Sequence, residues 1–215
     1  MKKIVLGIAS LTLATSILGA CSKDDTTSSK AGAETTQEAS SVSASDVTFN
    51  GKKLSNNDIQ QYKDEYMKNS IKGKSKSTEA VIKNMALKEA LMKDLGVTQE
   101  QLDKGYKDTV EAVKNGPKGV AVPSEGLYMH QTLAKEYAKK NLSDDTTVQK
   151  VYDSLKDEEK KGFPKEMLKA DYYRLYYLAE YYKVDDALKY QQDLLKKSDV
   201  KGMDVTNLKA NETIL

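Results

Sequence analysis

One local device recurs from Leu54 to Leu195 and constrains the fold more than any other feature. A residue suited to capping a helix is followed by apolar residues at three- and four-residue spacing, then by a glycine, proline or charged break. Ser55 with Asp58, between Leu54 and Ile59, reads as an N-cap with a hydrophobic staple, and Ile59, Tyr62, Tyr66 and Met67 continue the stripe. Lys72-Gly73-Lys74-Ser75 is the expected end of that helix. A second helix is predicted from Thr78 to Leu95, with a face broad enough for contact on two sides and Gly96 at C′. Thr98 with Gln101, between Val97 and Leu102, is a capping box, so a third helix starts at once and fades near Asn115. The stretch Asn115-Gly116-Pro117-Lys118-Gly119, with Val122-Pro123, is the clearest break. Helix resumes at Ser124 and runs to Asn141. Ser143 or Asp144 caps the next, with the charge run Asp157–Lys161 as its solvated last turn. Pro164 suits the first position of a long helix reaching Tyr182, and Asp185 caps a final one through Leu195. Such a chain folds as a mostly α, multi-helix domain. Ahead of it, Val47 and Phe49 alternate before an Asn50-Gly51 turn, which predicts a short N-terminal β-strand. A short strand needs a partner. The C-terminal tail is the candidate, with Thr213-Ile214-Leu215 as a closing strand and Ile214 against a buried Phe49.

The N-terminus carries a different signal. Met1-Lys2-Lys3 precedes the only long apolar run, Ile4 to Leu18, as in a secretory signal peptide. Leu18-Gly19-Ala20-Cys21 at its end resembles the bacterial lipobox, in which the cysteine receives a diacylglyceryl group and becomes the first residue after cleavage. Residues 1–20 are thus expected to be a lipoprotein signal peptide, 21–46 a lipidated flexible tether, and 47–215 the helical domain. The Ser-, Thr-, Ala- and charge-rich tether cannot bury enough apolar surface to order itself, and would span roughly 25–30 Å. Two acyl chains on Cys21 suffice for stable membrane anchoring. The expected address is the extracytoplasmic face of a cell membrane; the lysine-rich, arginine-poor composition and long tether suit a Gram-positive surface, while Ser22 after Cys21 leaves an outer-membrane address open.

Composition narrows the function classes. The formal charge of +2 includes Lys2 and Lys3, so the processed chain is balanced. Arg174 is the only arginine. With neither a basic excess nor the side chain best suited to bidentate phosphate recognition, nucleic acid is not an expected partner. Cys21 is the only cysteine and His130 the only histidine, so no disulfide, thiolate cluster or two-histidine metal site is expected, and no cofactor. Gly73-Lys74-Ser75 imitates a phosphate loop but has Lys68 where the leading glycine belongs. The acid pairs Asp144-Asp145 and Asp185-Asp186 stand where helix caps are needed, and no catalytic residue is assigned.

The residues from Met167 to Tyr182 are apolar or aromatic nearly all round, and six of the thirteen tyrosines lie there. Tyrosine serves equally as core and as a binding surface with few rotors. One reading makes this the central helix of the domain, surrounded on every side. In the other, Tyr172, Tyr173, Tyr176, Tyr177 and Tyr181 are candidate peptide-binding residues, and Met85, Met92, Met129 and Met167 add adaptable apolar lining.

Three stretches carry a resemblance. Val47-Thr48-Phe49-Asn50-Gly51-Lys52-Lys53-Leu54-Ser55-Asn56-Asn57-Asp58-Ile59 is similar to the opening of SurA/PrsA-type foldases. Gly96-Val97-Thr98-Gln99-Glu100-Gln101-Leu102 resembles their helix junction, and Leu168 to Leu178 resembles their long late helix. The glycine-rich segment and histidines of their parvulin prolyl-isomerase domain are absent. The resemblance therefore implies a SurA-like helical chaperone domain without isomerase chemistry, binding unfolded or secreted polypeptides as clients. The alternative is a surface lipoprotein that serves one dedicated protein partner, and a third reading, a hydrolase or transferase built on His130, has the least behind it.

Overall fold

The computed structural model describes residues 42–67, 76–117 and 119–215, so Cys21, most of the tether and the helix end expected at 72–75 lie outside the described residues. The caps act as their chemistry dictates. The Ser55 hydroxyl accepts from Asp58 N at 3.2 Å while Asp58 accepts from Ser55 N at 2.8 Å, opening α1 (Asn56–Tyr62). A π-helical turn, Lys63–Met67, extends it. Ser77 caps α2 (Thr78–Leu95), which stops at Gly96. Thr98 and Gln101 form the reciprocal box of α3 (Gln99–Lys114), and Ser124 and Asp144 cap α4 (Glu125–Asn141) and α5 (Asp145–Ser154).

The second half departs from the sequence reading in its breaks. The charge run belongs not to the end of α5 but to a separate short helix, α6 (Asp157–Gly162), because Leu155 turns extended and Glu159 accepts from Lys156 N at 2.8 Å. Pro164 is the N-cap rather than the first residue of α7 (Lys165–Ala170). The long aromatic helix is divided at Asp171, whose carboxylate accepts from Arg174 N at 3.1 Å and starts α8 (Tyr172–Tyr181). Asp186, not Asp185, caps α9 (Ala187–Leu195), and Asp185 instead accepts from the Tyr137 hydroxyl.

A small sheet flanks these nine α-helices of the described residues. β1 (Thr48–Phe49) turns through Asn50 and Gly51, both at positive φ, into β2 (Lys52–Lys53), and its other edge pairs antiparallel with β3 (Val200–Lys201), in the order β2-β1-β3. The strand does find its partner in the C-terminal tail, Phe49 opposite Val200, but at the tail's beginning rather than its end. Thr213-Ile214-Leu215 is buried without being a strand. The amides of Ile214 and Leu215 both donate to Gln191 Oε1 at 2.9 Å, and the Ile214 carbonyl lies 2.6 Å from His130 Nδ1. Backbone groups spent on side chains are not available to a ladder. Val47 is fully buried, whereas Phe49 is only half-buried, because the two-residue strand ends at its turn and leaves the ring at the rim. Ala44 is buried within a 3₁₀ turn, Ala44–Asp46, so packed structure begins a little before Val47.

The core joins Leu87 and Leu91 of α2, Leu133, Ala134 and Tyr137 of α4, Val148 and Val151 of α5, Leu175 and Ala179 of α8, and the terminal Ile214 and Leu215. A second cluster, with Val47, Leu54, Ile59, Tyr62 and Val81, seats the sheet and α1. The most surrounded helix is α4, which packs against α2, α3, α8 and the π-turn; α8 keeps one face in solvent.

Candidate tyrosine groove

An open groove of about 1070 Å³ runs between α1 with its π-turn, α2, α3 and α4. Tyr62, Tyr66, Tyr106 and Tyr128 line it together with Met85, Met129 and Leu102. The sequence explains how four helices converge here. Tyr62 and Tyr66 are four residues apart and share a helix face, with ring centroids 5.0 Å apart. The Tyr62 hydroxyl donates to Asn84 Oδ1 at 2.9 Å, and that of Tyr66 accepts from Gln99 at 3.1 Å, tying the first wall to α2 and α3. Across the groove Tyr106 of α3 meets Tyr128 of α4 at 5.8 Å.

Two glycines permit this approach. A Cβ on Gly126 would stand 1.9 Å from the Tyr66 carbonyl oxygen, and one on Gly105 would stand 2.1 Å from the Tyr128 hydroxyl. The first turn of α4 therefore rests directly on the π-turn, and the hydroxyl end of Tyr128 reaches the backbone of α3 at Gly105. Two glycines inside helical patterns are a readable mark of close backbone approach, and they are the signal by which this site can be found from sequence.

Charge is arranged within the groove. The Lys88 ammonium lies 3.7 Å from the centroid of Tyr66 and 5.9 Å from that of Tyr62. Burial pushes it below its ordinary value, against the pull of Glu65, Asp103 and Glu125. Burial also raises the Glu125 carboxyl, and the neighbouring charges of Glu65 and Asp103 raise it further. Tyr62 and Tyr66 are both raised, chiefly by burial, and stay protonated.

The tyrosines singled out from sequence lie elsewhere. Tyr176 is buried, its ring edge-on to those of Tyr137 and His130, and Tyr172 and Tyr173 are half-buried against the core. Tyr177 and Tyr181 are 58% and 65% exposed and stack on one another at 6.3 Å and 19°. Tyr182, beside them, donates to Glu159, which pushes its hydroxyl up to about 12. The α8 residues thus divide between core and surface and do not enter the groove. Of the four methionines, Met85 and Met129 line it; Met92 packs on the core and Met167 lies against Arg174.

His130 is half-buried between Tyr173, Tyr176 and the Ile214 carbonyl, in a packing role. Among the described residues no group of three or more histidine, cysteine, aspartate or glutamate side chains is placed to hold a metal ion, and no helix is long and apolar enough to cross a membrane. Comparison with protein-family models, with curated proteins and with solved structures finds no match to this chain.

Proposed function

We propose that this chain is a membrane-tethered, chaperone-like lipoprotein that binds unfolded or secreted polypeptide segments without catalysis, anchored through a diacylglyceryl group on Cys21. The observation that carries the reading is the groove itself, walled by four tyrosines and two methionines between four helical segments. Tyrosine supplies broad amphipathic contact with few rotors, and methionine adapts its shape, so such a lining accepts many sequences rather than one. The SurA/PrsA-like order of strand, turn and capped helix supports the same reading.

The test is suppression of aggregation of a chemically unfolded client by the full chain. Tyr106→Ser should weaken suppression several-fold while moving stability by at most about 1 kcal/mol, since Tyr106 is a half-exposed wall residue. Unchanged suppression would remove the groove from the function.

A second reading is favoured by the exposed Tyr177–Tyr181 stack. A rigid aromatic pair presented on a helix is suited to be the hot spot of one dedicated interface. If Tyr177→Ser/Tyr181→Ser abolishes binding to a partner while Tyr106→Ser does not, the single-partner module is the better account.

A further inference from the structure

The groove's walls repeat one arrangement. On α3, Asp103 stands three residues before Tyr106; on α4, Glu125 stands three before Tyr128; on the first wall, Tyr62 stands three before Glu65. Residues three apart share a helix face, so each wall presents a carboxylate beside a tyrosine ring.

The charges of the described lining residues do not cancel. Among the lining residues, Asp58 pairs with Lys52 at 3.3 Å and Lys104 with Asp108 at 2.9 Å. What is left is Glu65, Glu100, Asp103 and Glu125 against Lys88 and Lys107, an excess of negative charge. Among the described residues, none of Glu65, Asp103, Glu125 and Lys88 forms an ion pair within 4.0 Å. Lys88 shows what one wall accepts, since its ammonium sits over Tyr66. The Tyr106–Tyr128 corner shares its groove with Asp103 and Glu125, and among the described residues no protein cation lies over either ring; Asp103 accepts only from the neutral Gln99 amide, at 2.6 Å. A ring face and a carboxylate together favour an ammonium or guanidinium group.

We infer that the groove selects polypeptide segments carrying lysine or arginine beside apolar residues, the cationic head lodging between Asp103 and Glu125 at the Tyr106–Tyr128 corner and the apolar neighbours lying on Met85 and Met129. The inference rests on the polypeptide-binding reading and adds its charge selectivity. Apolar contact supplies affinity, and the carboxylates decide which segments stay.

The experiment is calorimetric titration of the full chain with three peptides of equal length that alternate leucine with lysine, with glutamine or with glutamate. The lysine peptide should bind about fivefold tighter than the glutamine peptide, the effect of one favourable exposed ion pair, and the glutamate peptide weakest. The gap should close as salt is raised to about 0.5 M, where screening shortens to a few ångström. Asp103→Asn/Glu125→Gln should abolish the gap between the lysine and glutamine peptides; a gap that persists in this variant overturns the role of the two carboxylates. If that variant melts early, the salt dependence in the unaltered chain decides. Equal binding of all three peptides, or a preference for glutamate, overturns the charge selectivity while leaving the polypeptide-binding reading standing. Failure of all three to bind overturns both.

Discussion

Replacing Lys83 with methionine should unfasten the C-terminal tail. Lys83 lies in the second turn of α2 with a side chain only 2% exposed, yet it is charged. Its ammonium donates to the Asn207 carbonyl at 2.7 Å and pairs with Glu79 at 2.7 Å and with Glu212 at 3.2 Å. Glu212 is itself 6% exposed, and beside it Asn84 donates to the Glu212 carbonyl at 3.1 Å. Methionine keeps the volume of the aliphatic stem but leaves a buried carboxylate without its counter-ion. Removing one partner of a buried pair costs about 3–5 kcal/mol. For a body of this size that lowers the melting temperature by roughly 6–20 °C. Urea unfolding followed by far-ultraviolet circular dichroism measures it directly. The double change Lys83→Met/Glu212→Leu removes both charges together and should cost markedly less than Lys83→Met alone. A single change costing under about 1 kcal/mol, or a double equal to the sum of the singles, would refute the coupling. Alkaline titration gives an independent check. Burial pulls the Lys83 ammonium down, but the hydrogen bonds and charges of Glu79 and Glu212 outweigh it and hold the group above its ordinary value of 10.5. A group raised in the fold contributes its full stability below the unfolded value. The contribution should therefore be intact below pH 10.5, decline as pH rises through the higher folded value, and be missing from Lys83→Met at every pH.

Two further outcomes are expected. Gly126→Ala should destabilise the domain by about 1–3 kcal/mol and weaken peptide binding, because its Cβ meets the Tyr66 carbonyl, which cannot yield as a side-chain tip would; Gly162→Ala, with nothing within 4 Å, should be close to neutral, and equal melting temperatures for the two would contradict the close approach. Cys21→Ala should move the protein from the membrane fraction to the soluble fraction on cell fractionation, and retention in the membrane would count against the lipid anchor.

Local chemistry alone determined much of this architecture. A cap such as Thr98 with Gln101, or Ser55 with Asp58, is satisfied within one turn, so its outcome needs no distant partner, and these helix starts were accordingly legible. The same holds for the turn at Asn50-Gly51. Where two local solutions compete, the three-dimensional context chose between them. Asp185 and Asp186 are equally good caps by sequence; Asp186 took the role because Tyr137, 48 residues away, claimed Asp185. The aromatic stretch is apolar all round, and periodicity cannot say which side of such a helix is covered. Packing against α4 buried Tyr176 and left Tyr177 and Tyr181 in water.

The groove was the least legible feature, for a physical reason. Its four tyrosines come from three separate helices, and each reads locally as part of a core stripe. Helix packing, with the close approach at Gly105 and Gly126, brings them to a common space that Asp103 and Glu125 also line. The end of the chain follows the same rule. Composition marks Thr213-Ile214-Leu215 as apolar and extended, but Gln191 and His130, distant in sequence, take its backbone groups and make it a buried plug in place of a strand. Caps such as those of Ser55 and Thr98 are properties of contiguous residues; the groove and the fate of the tail are properties of helix packing, which depends on contacts no local window contains.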